Sequence, residues 1–118
     1  MRFKYFLLLR YKLFGISSVF ITLFGRFLSV KISIRSFANI RDALGSRIID
    51  LEVPEGSDIQ SLLKKLCEQY PQARELIFEE GNLRNSLKIA LDLENIRDLS
   101  IPLRDGQQVA LIPPTGGG

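Results

Sequence analysis

Only one stretch of this chain can form a long amphipathic helix, and the rest of the domain must be arranged around it. Ser57-Asp58-Ile59-Gln60 reads as a capping box, in which the serine hydroxyl and the glutamine side chain satisfy the first orphan amides reciprocally. Ile59, Leu62, Leu63, Leu66 and Tyr70 then follow at helical spacing as a single apolar stripe, and Pro71 ends the helix. A shorter helical turn is expected around Glu75 to Phe78, with the adjacent pair Glu79-Glu80 as its solvated end.

The remaining regular stretches have a period of two. Val30, Ile32 and Ile34 alternate with Lys31, Ser33 and Arg35, which predicts a first strand with one apolar face. Phe37 to Gly45 makes a short helical turn closed by its glycine. Ile49, Leu51 and Val53 alternate with Asp50 and Glu52 as a second strand that stops at Pro54-Glu55-Gly56. Ile89, Leu91 and Leu93 alternate with Lys88, Ala90 and Asp92 as a third, and residues 94–103 read as a loop or a very short strand. Asp105-Gly106 turns the chain into Val109-Ala110-Leu111-Ile112, which is apolar on both faces, as an interior strand should be. The order predicts an α+β roll with one main helix across a mixed sheet and the last strand central, which is the β-grasp (ubiquitin-like) arrangement.

Residues 1–29 stand apart from this domain, which runs over 30–118. They hold six of the eight phenylalanines and five basic residues, Arg2, Lys4, Arg10, Lys12 and Arg26, but no acid, since the first carboxylate is Asp42. The uncharged run Leu13 to Gly25 lacks a small-residue cleavage site after it and falls short of the ~20 residues a spanning helix needs. An interfacial helix, a weak targeting segment and a start assigned too far upstream are the open readings, and the last is favoured. Without these residues the domain carries eleven basic against thirteen acidic residues, so a basic nucleic-acid footprint is not expected, nor is membrane attachment.

Histidine is absent and cysteine occurs once, which removes the usual zinc clusters, histidine-based triads and a disulfide framework. No metal site and no bound cofactor are expected. Cys67 lies eight residues after Ile59 on the same helical face and reads as a small core residue, in keeping with a reduced cytoplasmic setting.

Chemistry is instead suggested at the C-terminal end. Pro113-Pro114 stop the last strand and stiffen its exit, and Thr115-Gly116-Gly117-Gly118 follow as a thin arm with almost no side chains. Glycine has no Cβ to meet the walls of a narrow active site, so such an arm can be threaded into another protein. An α-carboxyl titrates near ~3.5, so the Gly118 carboxylate is ionised at neutral pH and can attack the α-phosphate of ATP. The competing reading is a frayed terminus.

Residues 30–118 resemble the small, sulfur-carrier subunit of molybdopterin synthase and its relatives in the ubiquitin-like superfamily. The resemblance rests on Phe37-Ala38-Asn39-Ile40-Arg41-Asp42, on Leu51-Glu52-Val53-Pro54-Glu55-Gly56, and on Leu103-Arg104-Asp105-Gly106 through Val109-Ala110-Leu111-Ile112-Pro113-Pro114 to the end. Members of that family usually close with two prolines, two variable residues and Gly-Gly, and here Thr115 and Gly116 fill the variable places. Leu93 stands where the family often has the glycine of an Asn-Gly turn, and residues 1–29 have no counterpart.

The resemblance implies a carrier that is not a catalyst alone. A ubiquitin-activating-type adenylating enzyme would use ATP to form an acyl-adenylate on Gly118, with Gly117 letting the arm pass, and a persulfide sulfur donor would leave a thiocarboxylate. The large synthase subunit would then receive the arm, and sulfur would pass to the pterin precursor to build the molybdopterin dithiolene. Phe37, Leu111 and Pro113, with Pro114, Thr115 and Gly116 of the arm, would face these partners; ordinary core is the competing reading for Phe37 and weighs more for Leu111. A ubiquitin-like protein modifier, and sulfur delivery for tRNA thiolation or thiamine, share the same chemistry up to the adenylate. A binding module docked on membrane by residues 1–29 is the alternative from a different class.

Overall fold

The computed structural model of the protein describes residues 28–114. Residues 1–27 and Thr115 to Gly118 lie outside the described residues, and with them the readings of the N-terminal segment and of the arm's last four residues. The chain runs β1 (Ser29–Ser36), α1 (Ala38–Leu44), β2 (Ile48–Pro54), α2 (Ile59–Gln69), a 3-10 turn (Pro71–Ala73), α3 (Arg74–Ile77), β3 (Phe78–Glu79), β4 (Asn82–Leu83), β5 (Lys88–Leu91), β6 (Glu94–Ile96) and β7 (Gln108–Ile112).

Five strands form one sheet in the order β2-β1-β7-β5-β6, and β3 with β4 makes a separate small hairpin. β1 and β7 are parallel, whereas β1–β2, β5–β7 and β5–β6 are antiparallel. The last strand is therefore central, as its two apolar faces require, and the architecture is an α+β β-grasp. Alternation decides what it buries. Ile32 and Ile34 of β1, Leu51 and Val53 of β2, Ile89 of β5 and Val109 and Leu111 of β7 all point to one side, where Ile59, Leu62, Leu63 and Leu66 of α2 cover them. Each such side chain contributes about 1.5–3 kcal/mol by leaving water. Cys67 belongs to this core, where burial pushes its thiol pKa up and the nearby Arg74 guanidinium opposes the rise.

Three local expectations are corrected. Asp58, not Ser57, caps α2: its carboxylate accepts from the Ser61 N–H at 2.9 Å. Ser57 is already committed, since its N–H donates to the Pro54 carbonyl and its own carbonyl accepts from Leu103, while the Gln60 N–H donates to the Leu99 carbonyl. The extended residue before the helix is thus Asp58, one position later than the box implied. Glu79-Glu80 is no helix end. Glu79 pairs with Asn82 in the β3–β4 hairpin, and Glu80 (φ 53°) and Gly81 (φ 80°) make its left-handed turn.

The third correction concerns Leu93. The strand stops at Leu91, which pairs with Glu94, so Asp92 and Leu93 form a two-residue turn with φ 48° and 73°. Such a turn needs positive φ at both central residues, and a leucine there carries a Cβ clash that glycine would not. Asp92 anchors the turn in spite of this: its carboxylate accepts from the Gln108 N–H at 2.9 Å and from the Gln107 side-chain amide at 3.0 Å. Leu93 itself is 93% exposed and packs on little. Replacing it is expected to help: Leu93→Gly should stabilise the domain by roughly 0.5–1 kcal/mol, the relief of left-handed strain less the added freedom of the unfolded chain. A thermal melt checks this, and a lower melting temperature would show that the leucine makes stabilising contacts.

Candidate functional site

The site is the end of the sheet from which the arm leaves. Because β1 and β7 are parallel, with Ser36 beside Leu111, both strands deliver their next residues to the same edge. β1 delivers Phe37 and β7 delivers Pro113-Pro114. Phe37 stays extended (φ −136°, ψ 155°), so its ring continues the outward phase of Arg35, and the left-handed Ala38 (φ 53°) then swings the chain into α1. The Arg35 guanidinium lies 5.7 Å from the centre of that ring.

The candidate residues separate. Phe37 is 38% exposed and is available to a partner. Leu111 is fully buried between Ser36 and Ile89 on the helix-facing side of the sheet, so it offers no surface and leaves the partner-facing set as a core residue. Pro113 is buried at the end of the central strand and Pro114 is exposed, so the chain leaves the domain between them. Thr115, Gly116, Gly117 and Gly118 lie outside the described residues.

Register shows what else faces outward here, on the side of the sheet that α2 leaves open. Residues opposite one another in a sheet share a face, so Ile48, Arg35, Ala110, Ala90 and Asn95 form one row across all five strands. One step toward the arm Ile112 stands opposite Lys88, and Phe37 follows Arg35 in the same outward phase. The row on the other side holds Asp50, Ser33 and Gln108, and beyond it lie Glu52 and Lys31. Ile48 is 51% exposed, which makes it, with Phe37 and Leu93, one of three exposed large apolar side chains among the described residues. Sequence reasoning missed it, although a signal existed. In a strand whose inward phase is Ile49, Leu51 and Val53, an isoleucine at 48 falls on the polar phase.

Reactive groups are sparse around this edge. Among the described residues no cluster of three histidine, cysteine or carboxylate side chains could hold a metal ion. Asp50 is occupied with Ser33, whose hydroxyl donates to it at 2.9 Å, and with Lys31 at 3.7 Å. Also among the described residues, no helix is long and apolar enough to cross a membrane.

Comparison with known proteins places this geometry. A model of the ThiS family matches residues 34–118. The molybdopterin synthase sulfur carrier subunit of Arabidopsis thaliana is 31% identical over 90 residues, spanning 76% of this chain and 85% of that protein. Small archaeal modifier protein 3 of Haloferax volcanii is 25% identical over 92 residues, 75% of this chain and all of that one. In structure, small archaeal modifier protein 1 of Methanosarcina acetivorans superposes with a TM-score of 0.67 at 29% identity, covering 76% of this chain and 98% of its own. The fold also occurs in the complex of subunits 1 and 2 of the Helicobacter pylori molybdopterin-converting factor, at TM-score 0.52 and 22% identity, over 75% of this chain and 100% of that one.

Proposed function

We propose, for a chain that belongs to the ThiS family of small ubiquitin-like carriers and modifiers, that the Gly118 carboxylate is its working group and that the cargo is sulfur for molybdopterin. The observation that carries this reading is the arm's root: a central strand held on both sides, ended by a buried and then an exposed proline, and followed by four residues closing in Gly116-Gly117-Gly118. A carboxylate oxygen attacks the α-phosphate of ATP in a partner adenylating enzyme and pyrophosphate leaves. The terminal sulfur of a persulfide then displaces AMP, and a thiol cleaves the resulting S–S bond to free the thiocarboxylate. Acid, base and oxyanion stabilisation come from the partners, since the last three residues of the arm bring only backbone.

The molybdopterin assignment is supported by the proline pair and by the likeness to the Arabidopsis carrier subunit. The modifier reading keeps the same adenylate and transfers Gly118 to a lysine amine; the full-length match to an archaeal modifier favours it. Reconstitution separates them. Mixed with ATP, the cognate adenylating enzyme, a persulfide donor and the large synthase subunit, the full chain should convert the pterin precursor to molybdopterin. If lysine conjugates accumulate and no molybdopterin forms, the modifier reading replaces the carrier reading.

Phe37 is expected to serve docking rather than stability. Phe37→Asp should weaken binding to the large synthase subunit about tenfold or more while costing under about 1 kcal/mol of stability, because the ring is already partly in water. Titration and melting of the same sample check both halves, and a large drop in melting temperature would return Phe37 to the core.

A further inference from the structure

We propose that residues 2–12 of this chain dock in the groove between α2 and the segment formed by α3 and the β3–β4 hairpin, a basic and aromatic stretch seated against carboxylates of its own domain. The groove has a volume of about 450 Å³. Cys67 of α2 and the half-buried Phe78 are the apolar residues of its lining, and the aliphatic stems of Lys64 and Arg74 extend that apolar part. Glu68, Glu75 and Glu80 also line it, all exposed, and none of the three is ion-paired among the described residues. Three carboxylates against two cations leave the lining acidic.

Residues 2–12 match that lining in both charge and apolar character. They hold four cations, Arg2, Lys4, Arg10 and Lys12, together with four aromatic side chains and no acid. Aromatic bodies and the run Leu7-Leu8-Leu9 need cover from water, while the interleaved cations make burial in lipid costly. The open sheet face offers apolar cover at Phe37, Ile48 and Ile112, but Arg35 and Lys88 stand there and repel a basic stretch. Reach also suffices. The described chain begins at Leu28, whose carbonyl accepts from the Glu55 N–H, four residues before α2 starts at Ile59. From Ile59 to Cys67 the helix rises only ~12 Å. Residues 13–27 can bridge ~22 Å if helical and up to ~50 Å if extended. Docking there leaves both the open sheet face and the arm uncovered. It also gives the N-terminal segment a place in the protein, against the reading of a start assigned too far upstream.

The test is cross-linking of the dilute full chain with a carbodiimide, which joins an amine to a carboxylate in direct contact, in about 50 mM salt. Peptide mapping of the monomer should place the cross-links between Lys4 or Lys12 and Glu68, Glu75 or Glu80. Their yield should fall about fivefold or more in E75K/E80K, and should fall likewise in about 500 mM salt, while E52K/E55K leaves it within about twofold. E68K, on the long helix α2, is a second groove variant and should act in the same direction. Circular dichroism confirms that each variant is folded. Cross-links spread evenly over the domain's carboxylates, or unmoved by E75K/E80K and E68K, overturn the proposal. So do cross-links that join two chains, which give the segment to a second copy. Binding to phosphatidylserine vesicles without any cross-link in the groove overturns it too, by giving the segment to a membrane. An intact mass of the protein from its own cells that lacks residues 1–27 would leave the groove without this occupant and end the proposal. Adenylation of Gly118 is read separately, so the functional reading stands or falls apart from all of these.

Discussion

A chain lacking Gly118 is expected to fold as the full chain does and yet to form no acyl-adenylate. The deletion shortens the arm by about 3.3–3.6 Å, and a displacement of even ~1 Å from attacking geometry can cost on the order of a hundredfold in rate. One residue added after Gly118 should be as damaging, because the added side chain and the shifted carboxylate then occupy the place where the adenylate must form. Stability should be untouched by either change: the last described residue buried by the domain is Pro113, five positions before the end. ATP–pyrophosphate exchange with the cognate enzyme measures the loss. Exchange persisting at a normal rate in either variant would mean that the carboxylate of Gly118 is not the group being activated.

The opposite pattern is expected one strand residue before the arm's root. Leu111→Ala removes a fully buried side chain from the central strand, where it lies beside Ser36 on one strand and Ile89 on the other. Large-to-small changes at such sites cost about 2–5 kcal/mol, so the melting temperature should fall by at least about 10 °C, and chemical denaturation should show the same loss. Once the sample is kept cold and folded, adenylation should be only modestly affected. A loss below about 1 kcal/mol would show that the side chain is not core, and would restore it as a partner-facing candidate.

These two residues also mark what could be read from the sequence. Period-two runs located β1 and β2, and the apolar stripe located α2, because each has one face buried and burial writes its period directly into residue choice. The central place of β7 followed from its apolar residues on both faces. What escaped was local geometry set by competing hydrogen bonds or by strain. The capping box failed because Ser57 was drawn away by Pro54 and Leu103. The β5–β6 turn could not be recognised from Asp92-Leu93, because a leucine at φ 73° contradicts the glycine that such a turn favours, and only the Asp92 contacts to Gln107 and Gln108 explain why it forms. At the site, Phe37 was legible as a candidate, and the core reading that weighed more for Leu111 agrees with its complete burial. Ile48 was readable from the polar phase of its own strand, whereas the sharing of one face by Arg35 and Lys88 depends on register among three strands, which no single stretch of sequence contains.

The most direct measurement is the intact mass of the full chain after incubation with ATP, its cognate adenylating enzyme, a persulfide donor and a thiol. The expected result is a gain equal to the difference between one sulfur and one oxygen, with fragmentation placing it on Gly118. No change at Gly118 under conditions where ATP is consumed, or a chain carrying an extra C-terminal residue that gains the same mass, would contradict the assignment of the arm's terminal carboxylate as the working group.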